Sequence, residues 1–148
     1  MLPHTASRHA PPSLRRTMPP DRPFKSRGGG ARILAATRYS IDGLLAAWRE
    51  EAAFRQELAL CAVLLPIAFW LPVSRTESLA LVAVLALLLI VELLNSALEA
   101  VVDRIGTDPH PLSKRAKDLG SAAVLVALAL VAATWGVVLW PFVVRTLT

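Results

Sequence analysis

Three charge-free apolar stretches constrain this chain more than any other feature: residues 58–74, 78–91 and 119–144. The first holds 17 residues and the last 26. A helix needs about 20 to cross the ~30 Å hydrocarbon core of a bilayer. The middle stretch is the informative one, with only 14 residues between Glu77 and Glu92. At ~1.5 Å rise per residue it covers roughly 21 Å, short of a full crossing. Yet the linker "SRTES" before it is tight, so the first two segments must form an antiparallel hairpin, and the middle segment crosses too. Glu92 is then expected at membrane depth.

The composition agrees. The 148 residues bound one ordinary domain, and 55% of them are hydrophobic while only 6% are aromatic. With a mean hydropathy of +0.52, this Ala, Leu and Val mix suits helices packed in lipid. Cys61 is the single cysteine, so no internal disulfide forms and the redox compartment stays open. The net charge of +5 is unevenly spread: ten of the 16 Lys and Arg lie in residues 1–57. Arg104, Lys114, Arg115 and Lys117 fall between the second and third spans, and Arg75 and Arg145 lie at the opposite ends. The positive-inside rule then places the N-terminus and loop 104–117 in the cytoplasm and the C-terminus outside.

Residues 1–30 carry six prolines and one acid, Asp21, with no apolar periodicity, and are expected to be a disordered basic tail. No hydrophobic stretch follows closely enough for a secretory or twin-arginine signal. Met18 is a candidate alternative start, and "SRGGGAR" reads as a linker. Residues 31–148 form the membrane domain. Within it, "SIDGLLAAWREEAAFRQE" has an amphipathic pattern, with Ser40 as N-cap and Ile41, Leu44, Leu45, Trp48 and Ala52 at helical spacing. We expect a surface helix over about 40–52, and spans over about 55–73, 78–103 and 115–142. Pro66 sits where it could kink the first span. The third span is rich in small residues, including Gly120, Ser121, Ala127 and Gly136, which lets membrane helices approach closely. Self-association is expected; the spacing leaves its order open.

The polar residues of the second span fall on one stripe. With Glu92 at zero and ~100° per residue, Asn95 lies near 300°, Glu99 near −20° and Asp103 near 20°. Ionisable groups inside a membrane helix are expensive and point to function. Three acids in one stripe need cations, for which Arg55, Arg104, Lys117 or a metal are candidates. Asp103 with Arg104 also reads simply as a helix end reaching the headgroups. Two other segments bring polar groups to the same boundary: Glu51, Arg55, Gln56 and Glu57 at the base of the first span, and Lys117, Asp118 and Ser121 at the base of the third. Glu51 and Arg55 are spaced to pair with each other, and Asp118 also suits a helix start.

Facing carboxylates make an all-oxygen site, suited to Mg²⁺ shared with phosphates rather than to zinc, and His110 stands alone. Neither a P-loop nor a kinase glycine loop is present. Ser96 and Ser121 have no nearby histidine in sequence, which argues against a Ser–His nucleophile. Depth orders the remaining roles: surface cations for an anionic soluble donor, Glu51 and Glu99 for its metal, and Glu92, deeper, as a base for the hydroxyl of a lipid. The alternative is a non-enzymatic membrane protein whose acids line a cation or proton path. Such a path needs polar groups along the whole span, and the outer two-thirds of all three spans is nearly free of charge.

The segments "EAAFRQE", "VELLNSALEAVVDRIG" and "LSKRAKDLGSAAVL" together resemble the small bacterial integral-membrane diacylglycerol kinases, over about residues 32–140. The resemblance implies an all-α homotrimer with one surface helix and three transmembrane helices per subunit. It also implies sites between subunits, MgATP as donor, phosphatidic acid as product, and the bacterial inner membrane as location; no nucleic-acid partner is expected. It makes Glu92 the general base with Asn95 beside it, and Glu51 and Glu99 the metal ligands. Arg32, Tyr39, Glu51, Glu99, His110, Lys117 and Asp118 become nucleotide contacts. Trp48, Arg55, Gln56, Glu57, Glu92 and Ser121 become lipid contacts. There are departures: Ile41 stands where a tryptophan is expected, and Pro109 and Pro111 alter the loop "GTDPHP". Undecaprenol kinases share the Glu–Asn–Glu pattern and remain the alternative for the lipid.

Overall fold

The computed structural model describes residues 29–106 and 108–147. These form four helices, α1 (Gly29–Glu50), α2 (Ala52–Trp70), α3 (Arg75–Ile105) and α4 (Pro111–Leu147). Three are long and apolar enough to cross a membrane: Ala52–Trp70, Arg75–Ile105 and Pro111–Val144. The expected tail lies outside the described residues apart from Gly29 and Gly30, as does Met18. Among the described residues, those up to Ala36 and those from Thr37 onward belong to two separate units. The described part of the first is the opening of α1, where Ile33 and Leu34 are exposed.

All the helix boundaries shift by some residues from expectation. The described part of α1 runs from Gly29, so Ser40 lies inside the helix instead of capping it, and part of the supposed linker is helical. The expected separation of the surface helix from the first span is present as a break at Glu51, a few residues earlier than expected, whose backbone is extended at φ −102° and ψ 114°. Its cause is local. Arg55 Nη1 donates to the carbonyls of Trp48 at 3.1 Å and Arg49 at 3.3 Å. These are end-of-helix carbonyls of α1 without intrahelical partners, and a cation there also complements the helix dipole. Arg55 is therefore occupied by backbone rather than by a pairing with Glu51, and α2 starts afresh one residue later.

α2 and α3 are joined by residues 71–74. Ser74 caps α3 reciprocally: its Oγ accepts from the Glu77 N–H at 3.2 Å, and its own N–H donates to Glu77 Oε2 at 2.8 Å. This is the capping box that makes so short a turn possible. Pro66 lies within α2, which runs on to Trp70. α3 packs against both α2 and α4. The shared core is Cys61 and Ala68 from α2, Leu81, Leu85 and Leu88 from α3, and Ala127, Val131, Trp135 and Val138 from α4. Between lipid-facing helices burial adds little hydrophobic driving force, so close packing holds these residues together.

Candidate active site

The buried leucines of α3 recur at 81, 85 and 88, one face of a helix. The next position on that face is 92, and it is a glutamate. Glu92 is 2% exposed, as enclosed as the leucines before it. Along the stripe exposure then rises: Asn95 and Glu99 are half-buried and Asp103 is exposed. The helical period thus converts a simple sequence spacing into a ladder of polar groups graded by exposure.

Other elements bring partners to this ladder. Glu51, at the α1–α2 break, and Glu99 are both close enough to Glu92 to interact electrostatically with it. Glu57, one and a half turns into α2, is 7% exposed and also senses the Glu92 charge. Its Oε2 is buried and has no hydrogen-bond partner among the described residues. Asn95 Nδ2 donates to Glu99 Oε1 at 3.1 Å, which holds that carboxylate against α3. From α4, Lys117 Nζ lies 2.6 Å from Asp103 Oδ1 and also feels the charge of Glu99. Glu51, Glu57, Glu92 and Glu99 gathered together, with Lys117 engaged by Asp103 nearby, make an arrangement suited to a cationic or metal-bound ligand.

The cavities divide by chemistry. One, of about 570 Å³, is lined by Asp103, Asp108, Pro109, His110, Lys114 and Lys117. Another of about 570 Å³ lies between α1 and α3, lined by Ser40, Glu50, Glu51, Ser96 and small apolar residues. A third, about 350 Å³, is wholly apolar, formed by Leu44, Leu45, Trp48, Phe54, Leu58, Leu89 and Leu93.

The remaining expected site residues fall as follows. Tyr39, Gln56 and Ser121 are exposed. Arg32 is exposed within the N-terminal unit. Asp118 is exposed and takes a hydrogen bond from Lys114 Nζ at 2.6 Å, one turn earlier on α4. His110 Nδ1 accepts from the Leu112 N–H at 3.2 Å, capping the start of α4 ahead of Pro111. That bond assigns the ring proton to Nε2, which leaves Nε2 as a donor. Sequence reasoning read Asp103 mostly as an ordinary helix end and offered Lys117 as one of several candidate cations for the stripe; the structure pairs the two. The two are 14 residues apart on different helices, a separation that no local spacing rule reaches.

Among the described residues, no three His, Cys, Asp or Glu side chains form a ready-made metal cluster. Mg²⁺ typically binds one or two protein carboxylates and completes its shell with substrate phosphates and water, so carboxylates such as those of Glu51 and Glu99 are of the donor type it would need.

The family model for prokaryotic diacylglycerol kinase matches residues 38–139. The chain belongs to the prokaryotic diacylglycerol kinase family. It is 58% identical over 117 residues to the diacylglycerol kinase of Pseudomonas aeruginosa, covering 79% of this chain and 95% of that one. It is 52% identical over 112 residues to the diacylglycerol kinase of Escherichia coli K12, covering 76% and 92%. A diacylglycerol kinase of Helicobacter pylori J99 is 42% identical over 108 residues, covering 73% and 84%. The family match takes in the α1–α2 break, the whole acid ladder and the α3–α4 junction, while Arg32 falls just before it. As a diacylglycerol kinase family member the chain needs a place for a soluble phosphate donor and a place for a lipid.

Proposed function

We propose that this protein transfers the terminal phosphoryl group of ATP to the free hydroxyl of diacylglycerol, giving phosphatidic acid and ADP, at the cytoplasmic face of the bacterial inner membrane. The observation that carries the reading is Glu92. It is a carboxylate on the leucine face of a membrane span, electrostatically coupled to the shallower Glu51 and Glu99. A base at that depth meets a hydroxyl arriving from the lipid side, and the acids nearer the helix end meet a donor arriving from water.

In this scheme Glu92 takes the proton of the lipid hydroxyl as its oxygen bonds to the terminal phosphorus. The bond from that phosphorus to the bridging oxygen breaks, and ADP departs. Glu51 and Glu99 would hold Mg²⁺, which when bound neutralises charge on the phosphates. Asn95 orients Glu99 through its 3.1 Å bond. Lys117 and the Nε2 proton of His110 contact the phosphates, with Tyr39 and Asp118 as further nucleotide contacts. The apolar groove of Leu44, Leu45, Trp48, Phe54, Leu58, Leu89 and Leu93 takes an acyl chain. Arg55, Gln56, Glu57 and Ser121 stand around the lipid headgroup. α1 lies along the membrane surface, its half-exposed Ile41, Leu44, Leu45 and Trp48 facing lipid. The assembly in this reading is a homotrimer with sites between subunits, as the family resemblance implies.

The test is purified protein in detergent with radiolabelled ATP, Mg²⁺ and either diacylglycerol or undecaprenol. Label in phosphatidic acid is expected. Label only in the undecaprenol arm changes the substrate, and label in neither sinks the kinase reading.

A further inference from the structure

Gly120 is half-buried on α4, facing Asn95 and Leu98 of α3. A Cβ added there would overlap Asn95 Oδ1 outright and would stand 3.3 Å from Asn95 Cγ, while its distance to Leu98 Cδ2, 3.7 Å, is ordinary contact. Asn95 Oδ1 is itself buried without a hydrogen-bond partner among the described residues, while the other end of the same amide donates to Glu99. The amide is therefore wedged: its nitrogen is tied to a carboxylate, and its oxygen lies flat on a bare stretch of α4 backbone. Glycine in a helix interior costs roughly 0.5–1 kcal/mol relative to alanine. In the surrounding α4 sequence, "GSAAVLVALAL", the other small residues are Ser121 and alanines. The glycine stands where any side chain would strike the Asn95 amide.

We propose that Gly120 is a positioning residue for phosphoryl transfer, acting through Asn95 to fix the Glu99 carboxylate. The inference rests on the kinase reading and on Glu99 as a metal ligand. The overlap involves the tip of a side chain and not backbone, so alanine at 120 displaces the amide and leaves the helices in place. Displacing the amide releases Glu99 Oε1 from its 3.1 Å bond, and misplacement of a site group by ~1 Å can cost about 100-fold in rate.

The experiment is a double-mutant cycle in detergent, with Gly120→Ala, Asn95→Ala and the double variant assayed beside wild type for phosphatidic acid formation over a Mg²⁺ titration. An inactive wild type would refute the kinase reading itself and is read first. With an active wild type, Gly120→Ala is expected to lower kcat by about 100-fold and raise the Mg²⁺ requirement, with KM for diacylglycerol little changed. The double variant should be no worse than Asn95→Ala alone, because the amide that collides is gone. Gly136→Ala, on the same helix with nothing within 4 Å of the new methyl, should keep wild-type turnover. If Gly120→Ala fails to fold, the double variant should fold, since it lacks the collision. Normal activity of Gly120→Ala, multiplicative losses in the double variant, an unfolded double variant, or an equal loss at Gly136→Ala would each overturn the proposal.

Discussion

Lys117 on α4 reaches across to Asp103 on α3, Nζ to Oδ1, at 2.6 Å. The pair clips the two helices together at the end of the acid ladder and borders the cavity that also holds His110. Both partners are partly solvated, with side-chain exposures of 38% for Lys117 and 64% for Asp103, so the contact contributes little to stability. Its consequence is chemical: in the proposed reaction the lysine serves phosphate, and Asp103 competes for it. Asp103→Asn should leave the thermal midpoint nearly unchanged and lower KM for ATP by about two- to fivefold, the scale of an exposed ion pair, with the effect shrinking in high salt. Steady-state kinetics at two ionic strengths decides it; a raised KM would mean that Asp103 aims the lysine instead.

Glu92→Gln keeps the shape of the side chain and removes its basicity. Turnover should fall by roughly 10²–10⁴-fold, the usual contribution of a positioned base. Binding of a fluorescent ATP analogue should persist. Stability should hold or rise, because a neutral amide is cheaper than a carboxylate at 2% exposure. Full activity in this variant would remove Glu92 from the chemistry.

Glu51 and Glu99 come from different elements, the α1–α2 break and the α3 stripe. If both hold the donor's metal, Glu51→Gln and Glu99→Gln should each shift the Mg²⁺ concentration for half-maximal rate upward, by more than they change KM for the lipid. Unaltered Mg²⁺ curves would count against the pair.

Arg55 ties off the carbonyls of Trp48 and Arg49. Arg55→Met should loosen the α1–α2 corner at a cost of about 1 kcal/mol or less. Amide exchange should accelerate over residues 48–53 while the α3 core stays protected. Arg55→Lys, with a single ammonium in place of a fork, should recover only part of that protection. Uniform exchange along the chain would show that the break at Glu51 is held by something else.

Much of the site was legible because a helix obeys a fixed period. The spacing of Glu92, Asn95 and Glu99 becomes a stripe wherever the segment is helical, and a short charge-free count forces Glu92 into the apolar layer. Gly29 and Gly30 read as linker in the sequence but lie in α1. A division between surface helix and first span was legible near residues 52–55, but not its detail, because Arg55 bonds back to carbonyls that every residue possesses. His110 was legible as a lone polar residue, but its capping bond to Leu112 was not.

The sequence by itself determined that this chain is three apolar spans with a one-sided ladder of acids, because burial of charge in lipid is costly enough to leave a pattern countable in a single strand of letters. Tertiary structure decided which groups from separate helices meet: Lys117 with Asp103, Glu51 and Glu57 with Glu92, and the bare backbone of Gly120 beneath Asn95. Those meetings depend on the register and rotation of packed helices. They are set by the fit of Leu81, Leu85 and Leu88 against Cys61, Val131 and Trp135, a matter of shape between surfaces that no periodicity within one helix encodes.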